Sequence, residues 1–64
     1  MLGQYLKQYR VKNNLTQTEM AEKCHTSQTY YSQIETGTKK PGFNVIRRLA
    51  LALNVEESFI RDLL

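Results

Sequence analysis

At 64 residues the chain is expected to form one domain, residues 1–64, with a small core that must be fully used. Its 41% hydrophobic residues, three glycines and one proline predict a helical fold, and its single cysteine excludes an intrachain disulfide and fits a reducing cytoplasm. The net charge of +3 is compatible with a polyanionic partner but does not identify one. The longest purely apolar run, Leu49–Leu53, is far short of the ~18 residues of a membrane span, and Gln4, Lys7 and Gln8 interrupt any signal-peptide core.

Leu2, Tyr5, Leu6 and Tyr9 fit the i, i+3, i+4, i+7 spacing of an amphipathic helix, which predicts a first helix over residues 2–13. Arg10 continues that stripe and needs a partner there. Asn13-Asn14 closes the helix, because asparagine tolerates the left-handed conformation. Leu15 then anchors the chain before Thr16-Gln17-Thr18-Glu19, a capping box that starts a second helix from Gln17 to about Lys23. Met20, Ala21 and Cys24 form its buried side.

Cys24-His25-Thr26 is the turn, and Ser27 or Thr26 caps a third helix that ends at Thr36 with Gly37 as its left-handed stop. Residues 37–42, GTKKPG, read as a loop. A fourth helix follows Gly42, with Val45, Ile46, Leu49, Ala50 and Leu53 on its inner face and Asn54 at its end. Leu51 falls outside that face. Glu56-Glu57 begin a last short helix with Phe59, Ile60, Leu63 and Leu64 on apolar positions. No strand alternation occurs, so the fold class is all-α with five short helices.

The third helix carries the chemistry. Gln28, Thr29, Ser32, Gln33 and Thr36 share an arc about 140° wide at 100° per residue. All five are uncharged hydrogen-bonding groups. A solvated helix face would ordinarily carry Lys and Glu, whereas amides and hydroxyls suit the polar edges of bases in a major groove. Two acid-free basic segments flank this face in sequence: Lys7, Arg10 and Lys12 before it, and Lys39, Lys40, Arg47 and Arg48 after it. That layout places positive charge for phosphates beside neutral groups for bases.

The sequence resembles the Cro and lambda-repressor-like (Xre-type) helix-turn-helix DNA-binding family, most closely small phage repressors. The matching residues are Leu6, Arg10, LTQTEMAEK with Gln17 and Ala21, SQTYYSQIETG with Ile34, Glu35 and Gly37, Pro41, and RRLALALNV with Leu49, Ala50 and Leu53. The resemblance implies a five-helix domain whose second and third helices form the helix-turn-helix. It implies base contacts from Gln28, Thr29, Gln33 and Ser32, and phosphate contacts from Gln17, Ser27, Tyr30, Lys39, Lys40 and the Gly42–Phe43 amides. It also implies a structural ion pair between Arg10 and Glu35.

Two departures from the family stand out. His25 occupies a turn position that is usually glycine, and Tyr31 replaces a small inward-facing aliphatic residue. Tyr31 therefore predicts a roomier pocket or a hydroxyl that reaches the surface.

The resulting expectation is a sequence-specific transcription regulator, a repressor, acting in the cytoplasm on double-stranded DNA. One domain makes few contacts, so a homodimer on two half-sites is expected. Leu51 with Phe59 or Leu63 is a candidate dimer contact, and packing of Leu51 against the last helix is the alternative. A protein-interaction module on the same scaffold, antitoxin-like or anti-repressor, is the competing function. No cofactor, metal, membrane or small-molecule ligand is implied, and no catalytic constellation is present.

Overall fold

A computed structural model describes all 64 residues as five helices: α1 (Leu2–Lys12), α2 (Gln17–Lys23), α3 (Gln28–Thr36), α4 (Phe43–Leu53) and α5 (Glu57–Asp62). The all-α class and the element order follow the sequence periodicity, with ends that shift by about one residue.

Helix α3 is the hub, because both α1 and α2 pack on it, while α4 and α5 pack on each other. The core is one cluster of twelve hydrophobic residues, among them Leu6, Met20, Cys24, Tyr31, Leu49 and Ile60 with no appreciable exposure. Burial holds the Cys24 thiol up at about 11, so it acts as a small apolar side chain. Of the apolar positions of α5, Ile60 alone is buried; Leu63 is half-buried, and Phe59 and Leu64 remain exposed. A six-residue helix has too few turns to bury four such positions.

Three helix ends share one device. Leu15 N–H donates to the Arg10 carbonyl, Thr26 to Ala21 and Val55 to Ala50, each a six-to-one bond closing the end of α1, α2 or α4. Such a closure needs one left-handed residue, and these are Asn14 (φ 57°), His25 (φ 56°) and Asn54 (φ 57°). Helix α3 ends instead on Gly37 at φ 85°.

His25 is the least suited of the four, since a left-handed residue with a side chain costs roughly 1–2 kcal/mol. His25→Gly is expected to raise unfolding stability by about 0.5–1 kcal/mol in urea melts, after the extra freedom glycine gives the unfolded chain is subtracted. The His25 carbonyl, which accepts from Arg48 Nη1 at 3.3 Å, survives that change.

One contact gives the fold its tightest crossing. A Cβ added at Gly3 would collide with the Glu35 carbonyl oxygen and lie 2.9 Å from its carbon, so α1 meets the end of α3 backbone to backbone. Only glycine permits that approach.

Candidate nucleic-acid interface

The capped start of α2, the turn and α3 set the site. Thr16 Oγ1 accepts from Glu19 N–H at 3.1 Å, and Glu19 Oε1 accepts from Thr16 N–H at 2.8 Å. Ser27, and not Thr26, caps α3, its Oγ accepting from Tyr30 N–H at 3.1 Å. Ala21 is one of the two buried residues of α2.

Glu35 is the only acid between Glu22 and Glu56, and its side chain is just 5% exposed. Arg10, 15% exposed, grips it with two bonds: Nε donates to Oε2 and Nη2 to Oε1, each at 3.0 Å. Tyr31 hydroxyl donates to Oε2 at 2.7 Å, and Gln17 Nε2 donates to Oε1 at 3.2 Å. Arg10 Nη1 also donates to the Leu15 carbonyl at 3.1 Å, tying α1 to the approach to α2. Each carboxylate oxygen thus accepts two hydrogen bonds.

Burial by itself would raise the Glu35 carboxyl, but hydrogen bonds from Arg10, Tyr31 and Gln17 outweigh it and hold the group below its ordinary range. The same bonding raises Arg10 further, and burial, with the bond to Glu35, pushes the Tyr31 phenol well up.

Of the two alternatives for Tyr31, the structure has the buried one. Its ring is fully buried and its hydroxyl points to Glu35, not to the surface. The sequence held a signal for this contact, because Tyr31 and Glu35 are one helical turn apart and a buried phenol needs an acceptor.

Gln28 and Thr29 lie exposed at the first turn of α3, while Ser32 and Gln33 are half-buried further along it. Gln28 Nε2 donates to Gln17 Oε1 at 3.3 Å, so the two glutamines meet across the turn. Gln17 is therefore a bridge between the Glu35 carboxylate and Gln28 as well as a residue at the start of α2. Thr36 hydroxyl is turned to the Gln33 carbonyl (3.3 Å) and to Thr38 (3.1 Å).

Lys39, Lys40, Gly42 and Phe43 are exposed around the α3–α4 loop, whose Pro41 is buried. Half-buried Tyr30 reaches the same loop, and its hydroxyl accepts from Gly42 N–H at 3.3 Å. Of the Gly42–Phe43 amides, the Gly42 one is thus engaged within the chain. Phe43 carries the Arg61 guanidinium 5.9 Å from its ring centroid. Ser27 is exposed beside Gln28.

The arrangement brings an uncharged face and a lysine-bearing loop together around a turn of fixed angle. A helix-turn-helix family model matches residues 6–60. The chain belongs to this helix-turn-helix family of DNA-binding transcription regulators. It is 35% identical over 60 residues to the ImmF control region 10 kDa protein of Bacillus phage phi105, covering 94% of this chain and 67% of that protein.

It is also 33% identical over 63 residues to Control protein C.BamHI of Bacillus amyloliquefaciens, covering 97% and 78%. The Immunity repressor protein of phage phi105 is 34% identical over 59 residues, with 92% of this chain but only 41% of that relative covered. The resemblance to Xre-type domains is thus shown across nearly the whole chain. No helix is long and apolar enough to cross a membrane.

Proposed function

We propose that this chain is a repressor that acts by occupying an operator in double-stranded DNA, as a homodimer on two half-sites, in the cytoplasm of a bacterial host and without catalysing a reaction. The observation that carries this reading is the suppression of negative charge on the α3 face. Its one acid, Glu35, is sunk behind Arg10, and what remains outward is amide and hydroxyl. A face of that kind loses little on desolvation against base edges and does not repel phosphate. The names of the phage relatives, a control-region protein and an immunity repressor, support the sign of regulation.

In this reading α3 enters the major groove, with Gln28 and Thr29 first at the base edges and Gln33 and Ser32 further along. Gln17, Ser27, Lys39, Lys40 and the Phe43 amide face the phosphates, joined by Tyr30, whose hydroxyl proton is free to donate. The domain's longest dimension is 25 Å, and half-sites on one DNA face recur about 34 Å apart. One copy cannot span two of them.

Leu51, 76% exposed on α4, supports the second copy. It is not packed against α5, and it borders a groove with Arg47, Glu56, Glu57 and Arg61. Charges of both signs around an apolar residue suit a self-complementary contact across a twofold axis.

Gln28→Ala and Lys40→Ala separate readers from clamps. Gln28→Ala is expected to relax preference at one position per half-site by about 1–3 kcal/mol, read in a base-substituted operator panel. Lys40→Ala is expected to weaken every sequence alike and to lower the salt slope by about one. Matching profiles for the two variants would refute the division of roles.

A further inference from the structure

The outer face of α1 is used neither by the core nor by the interface described above. At 100° per residue, Lys7, Val11, Gln4, Gln8 and Lys12 span an arc about 140° wide, centred roughly opposite the buried Leu6. All five are exposed, and together they line an open groove along the helix. A second groove shares Gln8 and Lys12 and reaches the half-buried rings of Tyr5 and Tyr9.

Two features set this face apart from an ordinary solvated helix. Val11 is 58% exposed near its middle, and a β-branched residue there gains neither helix propensity nor burial. The charge is also of one sign. No acid precedes Glu19 in the chain, and Arg10 is taken up by Glu35. Lys7 and Lys12, at the two rims of the arc, form no ion pair. A face built only for solvent ordinarily mixes acids with bases.

Charge and position select the occupant. Gly3 and Arg10, outside this arc, meet α3 at Glu35, so the outer arc is turned away from the helix proposed to enter the groove. Phosphates held by Lys7 and Lys12 would leave Val11 uncovered. A second copy docked here about a twofold axis would bring four lysines together with no acid among them. An acidic helix with an apolar residue between its carboxylates satisfies both features, because the carboxylates pair with the rim lysines while the apolar side chain covers Val11.

We infer that the outer face of α1 docks a partner protein through an acidic amphipathic helix seated over Val11. The partner engages the side of α1 away from α3, so it holds the chain without displacing DNA. Docking does not require α3 to read bases, and either property can fail without the other.

The test selects a displayed library of helical peptides on the immobilised 64-residue chain, then titrates the enriched peptides into the isotope-labelled chain by NMR. Enriched peptides should be acidic with an apolar residue on the same side, and should shift the amides of Lys7, Gln8, Val11 and Lys12. Val11→Ser should weaken them at least about fivefold, and Lys7→Glu combined with Lys12→Glu at least about tenfold. Operator affinity of Val11→Ser should stay within about twofold of wild type. The inference is overturned by no enrichment, by enriched peptides without net negative charge, or by peptides that shift other residues or bind the variants as tightly. It is equally overturned if a non-operator duplex shifts the Lys7 and Lys12 amides as strongly as the peptides, which would make the face a nucleic-acid contact.

Discussion

Glu35→Ala is expected to destabilise the fold by about 3–5 kcal/mol, measured by urea or thermal unfolding. The loss comes less from the ion pair than from what it strands: an Arg10 guanidinium that is 15% exposed, a buried Tyr31 hydroxyl and the Gln17 amide, all donors without an acceptor. A chain of this size is stable by only about 3–10 kcal/mol, so the variant should be partly unfolded at room temperature.

Glu35→Gln should recover little. Its amide nitrogen would have to face either Arg10 Nε or Arg10 Nη2, and an arginine N–H can only donate. Acid acts on the same group. Its folded value is depressed, so its contribution is complete above the ordinary glutamate value of about 4.3 and is lost as pH falls through the lower folded value. The wild-type chain should therefore lose stability as pH falls below that ordinary value, and that acid sensitivity should be reduced in the Glu35→Gln chain.

Gly3→Val is expected to cost about 3 kcal/mol, with Gly3→Ala between that and wild type, in the same melts. The obstruction is the Glu35 carbonyl group, which is backbone, so no flexible side chain can move aside to admit a methyl group. Relief requires α1 to lift from α3, opening the contact that also aligns Arg10 with Glu35. Circular dichroism should retain helical signal in Gly3→Ala while its unfolding midpoint drops. An unchanged midpoint would mean that the α1–α3 crossing is looser than the geometry requires.

The two variants mark what can and cannot be read from the chain. The helices are legible because each carries its own period and its own ends: Leu2, Tyr5, Leu6 and Tyr9 for α1, the Thr16–Glu19 box for α2, Gly37 after α3. The family pattern also points to Arg10 and Glu35, twenty-five positions apart. Gly3 is not legible, since a glycine near a chain start looks like an ordinary weak helix residue until the partner backbone is present. Tyr31 is half legible, because its burial demands an acceptor but a longer reach to the surface satisfies the sequence equally well.

In sequence Gln17 reads as a phosphate neighbour, from its place at the start of α2. Its bonds to both Glu35 and Gln28 depend on the angle between α2 and α3, and no local period encodes that angle. Leu51 stands out in sequence for breaking the α4 stripe, and its exposure leaves that irregularity directed outward.

In the proposed mode the α3 face reads bases while the loop lysines hold the backbone, in two copies. Selection of binding sites from a random double-stranded DNA library, repeated from about 50 to 200 mM salt, tests it most directly. One enriched, palindromic sequence with half-site centres one helical turn apart is expected, with an affinity that falls steeply with salt. No enrichment over random DNA would contradict it and favour a protein-binding role for the same face.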